Sequence, residues 1–556
     1  MNRPLPNPAP TAALALSLAS ILAFAVGCAA RIDPSRPVYP MPETRAEASG
    51  YAQTSTYGDV TAFINGLRSR NAPIGFGVMG YTSGGRAIPY LIASRPVVTT
   101  PAEARALGRP IVYVNANIHA GEVEGKEALL ALVRDLAYQR RPNVLDSLVL
   151  IAVPIYNADG NEKFADQTVN RTEQNGPARV GQRANGQGLD LNRDYVKAEA
   201  PETRASLAMF DRWDPDVYVD LHTTDGSYHG FALTYAPSLN PVSYAPGFPG
   251  DLTRDVFLPE IRSRLDGRGI AVFDYGNFDS VYEERDITAT TKRGWYTYDH
   301  TPRYGTNYYG MRGRVSILSE AYSHDPFRKR VASTYAFVQQ VLSTSARHSA
   351  ELLKARSASE NVAESDVAIR SRLTTKPFDA AIPFEVLAHT GDSARTQPGL
   401  PKGIQRTGRF MTQLMPVYDR FEPSLEVRKP DAYLVPNEPK IVALLKLHEL
   451  AVTPFAAHDG FTHASSFTVD SVTRATREFQ GHHETRVTGR WGAPGGTPVP
   501  ETGHDNYIVV SAEGRFGPLA TYLLEPESDD GLVDWNFLDD RLASGVSFPI
   551  LRLYRH

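Results

Sequence analysis

The sequence predicts an α/β protein: a mixed, mostly parallel sheet flanked by helices, followed by a C-terminal α+β accessory domain. Three observations carry this expectation. From about Tyr51 to Ser345, short apolar runs alternate with amphipathic stretches, as in consecutive β-α-β units. At 556 residues the chain is too long for one small core. Beyond a polar stretch at 351–365, strand-like runs separated by Gly- and Asp-rich turns replace the alternation.

Taken in order, residues 1–28 read as an export signal, with Arg3 in a leader free of acids, an apolar run from Thr11 to Val26 and small residues after it. The run is too short and too Ala-rich for a membrane span. Ala25-Val26-Gly27-Cys28 resembles a bacterial lipobox, in which the cysteine is lipidated; plain cleavage near Ala29 or Ala30 is the alternative. Residues 29–50 form a linker, 51–350 the α/β domain, 351–365 a second linker and 366–556 the accessory domain. Within the α/β domain, Ile111 to Ile118 predicts a buried strand and Gly125 to Tyr138 a helix with apolar residues at helical spacing. Ser147 to Tyr156, Asp216 to Leu221 and Arg314 to Leu318 predict further strands, and Arg328 to Lys354 a long helix. In the accessory domain, Asn437-Glu-Pro-Lys opens a helix through Leu450, because Asn can cap and Pro fits the first turn. Tyr507 to Ala512 and Tyr522 to Glu525 read as strands.

Composition excludes several classes of chemistry. The 58 Lys and Arg against 62 Asp and Glu give a net charge of -4, so no phosphate-neutralising surface is expected and no nucleic acid partner. A single cysteine forbids an internal disulfide and any multi-thiolate zinc site, so a metal must be held by His and carboxylates. There is no Walker-type phosphate loop and no Gly-x-Ser-x-Gly elbow. His482 and His483 are adjacent on a strand, point to opposite faces and read as solvated. The acids of Pro526-Glu-Ser-Asp-Asp-Gly531 read as a polar turn in preference to a calcium loop.

The residues at the strand ends are more telling. Ligands bind at the carboxyl ends of strands in open α/β sheets. The strand ending at Ile118 is followed by His119-Ala-Gly-Glu122, the next by Asn157-Ala-Asp-Gly160, the third by His222, and the last delivers Glu320. His-x-x-Glu with a distant His supplies two imidazoles and one carboxylate, the set of a catalytic zinc site with one position left open.

In order along the chain, His119-Ala-Gly-Glu122, Asn157-Ala-Asp-Gly160, Gly188-Leu-Asp-Leu-Asn-Arg193, Val219-Asp-Leu-His222 and Ile317-Leu-Ser-Glu320 resemble the zinc carboxypeptidase family, and Ser83-Gly-Gly-Arg86 resembles its opening segment. The resemblance covers about Tyr51 to Ser345 and implies that residues 51–350 are a catalytic domain holding one zinc ion. It makes His119, Glu122 and His222 the metal ligands and Glu320 the catalytic base, Asp190 the group that orients the first imidazole, and Asn192 with Arg193 the grip on the substrate's terminal carboxylate. Arg171, with Arg179 and Arg183 as rivals, is expected to steady the oxyanion. Tyr296, Tyr298, Tyr304, Tyr308 and Tyr309 are candidates for the tyrosine that covers the substrate, and Asp299, Arg303 and Arg312 for the specificity pocket. The chain departs from the family at Gly121, where digestive members carry an arginine, and at Asp194, where many have Asn.

The expected function is a zinc-dependent metallocarboxypeptidase, a hydrolase that removes C-terminal residues from peptides or proteins with a free C-terminus. A zinc amidohydrolase or deacylase on the same fold and a non-catalytic peptide-binding lipoprotein are the alternatives. The leader implies an exported protein, periplasmic or in the cell envelope, touching the membrane only through a lipid on Cys28 at the outer membrane.

Overall fold

The computed structural model describes residues 41–278, 294–360, 362, 366–391, 403–455, 460–461, 463–500 and 503–555; the leader and Cys28 lie outside the described residues. Among the described residues, eight strands form the main sheet: β1 Gly75–Tyr81, β2 Ala87–Ala93, β3 Ile111–Ala116, β4 Val149–Val153, β5 Val217–Thr223, β6 Leu233–Pro237, β7 Val272–Asp274 and β8 Val315–Ala321. Their spatial order is β1-β2-β4-β3-β5-β8-β6-β7. The central strands β4, β3, β5 and β8 are parallel, and the antiparallel pairs β1/β2, β2/β4 and β8/β6 lie outside them.

Every residue of β3, β4, β5 and β8 is buried, because both faces of the sheet are covered. The covering helices are α1 Tyr57–Ser69, α2 Glu124–Tyr138, α3 Pro201–Trp213, α4 Leu258–Asp266, α5 Gly305–Met311, α6 Phe327–Arg347 and α7 Ser349–Ser359. Strand alternation divides the core: Val112, Leu150 and Val219 pack with Phe63 of α1, Leu129 and Val133 of α2, and Phe337 and Val341 of α6. Tyr113, Ile151 and Tyr218 face the other way, against Phe210 and Trp213 of α3 and Tyr308 and Tyr309 of α5.

That second core continues without a break into the C-terminal half, through Tyr433, Val435, Leu519 and Trp535. The C-terminal half carries α8 Pro439–Leu447 and α9 Gly517–Leu524. It also shares a sheet with the first half, because Trp295–Tyr296 pairs in parallel with Val417–Tyr418 of the long strand Ile404–Tyr418. Two stretches differ from the sequence reading. Tyr522 to Glu525, expected as a strand, falls largely in α9, a fully buried apolar run whose period cannot tell strand from helix. The helix expected over Arg328 to Lys354 is two helices meeting at His348, and α7 runs on to Ser359 into the stretch read as linker, since Ala-Glu-Leu-Leu-Lys-Ala-Arg are strong helix formers. No helix among the described residues is long and apolar enough to cross a membrane.

Candidate metal centre and active-site cleft

The parallel strands bring their carboxyl ends to one edge, and the site is assembled there. Beyond β3 the chain turns at Asn117, in the left-handed region at φ 65°, and the Glu122 amide donates to the His119 carbonyl at 3.0 Å. This tight turn aims His119 and Glu122 inward before α2 begins. On the neighbouring strands, Glu320 of β8 stands in direct register with His222 of β5, and Asp220, two residues before His222, shares its face.

His119 Nδ1 lies 3.0 Å from Glu122 Oε1, His222 Nδ1 lies 3.0 Å from Glu122 Oε2, and the two Nδ1 atoms are 3.2 Å apart. Both rings turn their other nitrogen outward to a carboxylate: His119 Nε2 to Asp190 Oδ1 at 2.9 Å, and His222 Nε2 to Asp220 Oδ2 at 3.1 Å. A carboxylate at Nε2 favours the tautomer with the proton there, which leaves the Nδ1 lone pairs converging on each other and on a carboxylate. Converging acceptors of this kind call for a cation between them. Two imidazoles and a carboxylate are the donor set that suits zinc and leaves a coordination position free.

The electrostatics draw positive charge into the site. Burial opposes ionisation of Glu122, yet His119 and Arg171 outweigh it and hold the carboxyl well below the usual range. For Asp190, burial is likewise overcome by His119 and Arg183. His222 is held above the usual imidazole value because Asp220 and Glu122 outweigh its burial. Glu320 goes the other way: burial raises its carboxyl well above the usual range, His222 opposes, and Glu122 and Asp225 add to the rise. Among the described residues, no side-chain hydrogen bond satisfies it. Arg314 and Arg312, the arginines nearest in sequence, pair instead with Asp214 at 2.6 Å and with Asp211 at 2.7 Å.

The cleft is lined by His119, Glu122, His222 and Glu320 together with Arg183, Asn192, Arg193 and the tyrosines 275, 298 and 304. Asp190 caps the short turn Leu191–Arg193 by accepting from the Asn192 amide at 2.9 Å. Gly305 N donates to Asn192 Oδ1 at 2.9 Å, which fixes that amide. The Arg193 guanidinium stacks on the Tyr304 ring, 3.9 Å from its centroid, and donates to the Asn192 carbonyl.

The structure thus brings together His119, Glu122, His222, Glu320, Asp190, Asn192 and Arg193. Arg171 does not line the cleft: its guanidinium is buried and spent on Glu122, Asp225 and the carbonyls of Thr223 and Thr224. It lies against Gly121, where an added Cβ would come 2.6 Å from Arg171 Cγ, so no larger side chain fits at that departure from the family. Arg183 is the arginine in the cleft, bonded to Asp190 Oδ2 at 2.9 Å with over a third of its side chain exposed. Of the tyrosines, Tyr308 and Tyr309 are buried in the core and Tyr296 stacks on Tyr418, which leaves Tyr298 and Tyr304. Asp299, Arg303 and Arg312 do not line the cleft; Arg303 is clamped by Asp530, Asp534 and Glu484 of the C-terminal half. Of the expected polar turn, Asp530 is therefore an interface partner, and His482, expected in solvent, binds Glu199 at 2.9 Å. Asp194 binds Lys197 at 2.7 Å with both side chains fully buried. Asp159 accepts from Thr82, Ser83, Gly84 and Arg86, which joins Asn157-Ala-Asp-Gly160 to Ser83-Gly-Gly-Arg86, and Asn157 Nδ2 donates to the carbonyls of Ile118 at 3.2 Å and Arg183 at 3.1 Å behind the cleft.

Sequence reasoning missed Asp220 and Tyr275. The signal for Asp220 was present, since Asp-x-His on a strand places both side chains on one face. Tyr275 comes just after a short edge strand, with no motif around it.

Residues 60–241 match the family model described as zinc carboxypeptidase. The chain is 29% identical over 142 residues to Probable carboxypeptidase 2 of Arthroderma benhamiae, covering 25% of this chain and 23% of that protein. It is 25% identical over 193 residues to carboxypeptidase 2 of Trichophyton rubrum, covering 34% and 32%. The chain thus spans 23% and 32% of the length of these two curated relatives. Among solved structures, a metallo-carboxypeptidase from Burkholderia cenocepacia aligns at TM-score 0.38 and 16% identity, over 52% of this chain and 69% of that one. The stretch matched by that family model is the one that supplies His119, Glu122, Asp190, Asn192, Arg193 and His222.

Proposed function

We propose that the protein is a zinc-dependent carboxypeptidase that hydrolyses the last peptide bond of substrates with a free C-terminus. The observation that carries the reading is Glu320. It is a buried carboxylate, in register with His222 and lining the same cleft as the three-donor set, and the described residues give it no hydrogen-bond partner. A group so placed is costly to bury and suited to taking and returning a proton.

His119, Glu122 and His222 would hold the zinc, which when bound supplies a Lewis acid for the scissile carbonyl and for water. Asp190 and Asp220 keep the two imidazoles in the tautomer that offers Nδ1. Arg193 and Asn192 hold the terminal carboxylate, the guanidinium pre-oriented by its stack on Tyr304. Glu320 accepts the proton of the attacking water and passes it to the leaving amine. Arg183, with its guanidinium in the cleft, faces the oxygen that gains charge, the role the family resemblance gave to Arg171.

If Arg193 binds the terminal carboxylate, a peptide acid is cleaved well and the same peptide as its amide poorly. Arg193→Ala then lowers kcat/KM on the acid by about 2 to 5 kcal/mol of transition-state stabilisation, and Arg193→Lys restores part of it. Equal rates on acid and amide would favour an endopeptidase or an amidohydrolase. For the leader we propose export with a lipid on Cys28; incorporation of labelled fatty acid that survives Cys28→Ala would refute it.

A further inference from the structure

Among the described residues, one turn of the C-terminal half bonds directly to the residues around the metal centre. Phe479 and His482 exchange backbone hydrogen bonds at 2.8 and 3.0 Å across a two-residue turn, with Gln480 at φ 52° and Gly481 at φ 82°. Both central residues are therefore left-handed, a turn that favours Asn, Asp or Gly at its first position. Gln is a poor choice there, because a side chain with a Cβ is strained in that region. Its side chain accounts for it: Gln480 Oε1 accepts the backbone N–H of Asp190 at 2.8 Å, across 290 positions of sequence.

Asp190 is the residue through which this contact reaches the metal centre. Its carboxylate takes His119 Nε2 on one oxygen and Arg183 Nε on the other. With the side chain held on both oxygens, the remaining freedom is in its backbone, and Gln480 closes that. The turn itself is anchored on both sides, by His482 to Glu199, nine residues beyond Asp190, at 2.9 Å and by Glu484 to Arg303, just before α5, at 2.7 Å.

We propose that Gln480 is a positioning residue for the metal centre: through the Asp190 amide it fixes the carboxylate that sets the orientation and tautomer of His119, so the C-terminal half completes the site. This rests on the zinc reading of His119, Glu122 and His222.

Gln480→Gly and Gln480→Asn test it, because both suit the left-handed turn better than Gln while one lacks the carboxamide and the other is a methylene too short. The melting temperature of the zinc-free protein should stay level or rise. Zinc affinity, measured by competition with a chelator, should fall by about 3- to 10-fold, less than the roughly 10- to 100-fold typical of a group bonded directly to a ligand. In an Asp190→Ala background, Gln480→Gly should cause no further loss of zinc affinity. Wild-type zinc affinity in both variants overturns the proposal, as does an undiminished effect of Gln480→Gly once Asp190 is gone. A wild-type protein that binds no zinc instead sinks the metal reading, and this inference with it.

Discussion

His119, Glu122, His222 and Glu320 were legible because each stands at the end of an apolar run, where a parallel sheet gathers its ligands. Their supports were legible only in part. Asp190 sits in a recognisable Gly-Leu-Asp-Leu-Asn-Arg string, whereas Asp220 was hidden inside a strand and Gln480 lies 290 positions from the amide it holds. Local pattern reports which face a side chain takes, not what a distant loop brings to it. Asp220 is bonded by Asn115 Nδ2 at 3.2 Å and lies 3.1 Å from His222 Nε2. Asp220→Ala removes that carboxylate from behind a ligand, so zinc affinity should fall by about 10- to 100-fold with the fold intact. Chelator competition reads the affinity, and an unchanged constant would remove Asp220 from the metal centre.

Among the elements, α2 and α6 hold the rear of the site. Glu124 begins α2 two residues after the ligand Glu122, and it meets Arg330 of α6 at 3.2 Å with both side chains fully buried. The same guanidinium donates to the carbonyls of Asn175, Gly176, Ser323 and Asp325, so that with Glu124 it ties three chain segments together. A buried pair adds little net stability when intact, but breaking it strands a charge. Arg330→Ala should therefore destabilise by about 3 to 5 kcal/mol, and Arg330→Ala with Glu124→Gln by clearly less, as read from denaturant midpoints. Additive losses would show that the pair is not coupled. The helix pattern of α2 was readable from its apolar spacing. The partner of Glu124 was not, because nothing in a sequence says which of 58 basic residues a buried acid meets.

At the scale of the whole molecule, the two halves share one core and a set of polar contacts with opposite responses to pH. His448 of the C-terminal half accepts from Tyr308 Oη–H at 2.7 Å and donates to the Val196 carbonyl at 2.8 Å, and burial pushes it down to about 4. A histidine depressed in the folded state contributes stability that is present above its unfolded value near 6.5 and lost as pH falls toward 4. His448 alone should cost about 2 kcal/mol between pH 7 and pH 5. His300 is the reverse: against its burial, Asp299 and Asp529 push it up to about 9. Its contribution is present below about 6.5 and fades as pH rises through 9. Stability of the chelator-treated protein should therefore peak between these limbs, and His448→Asn should make the acid limb shallower while leaving the alkaline limb unchanged. An acid limb unchanged by His448→Asn would contradict the account. The division into an α/β half and a strand-rich half was legible from the change of pattern after residue 365, but the shared core was not, since Trp535 and Tyr433 carry no mark of belonging to one core with α3 and α5.

The most direct test of the central claim is to incubate the zinc-loaded protein and its Glu320→Gln variant with a mixture of peptides, each as free acid and as amide, and to track their masses. A carboxypeptidase with Glu320 as its base gives stepwise loss of C-terminal residues from the acids alone, and turnover reduced by about 10²- to 10⁴-fold in Glu320→Gln at unchanged zinc content. Internal cleavage, shortening of the amides, or equal turnover by the variant would contradict it.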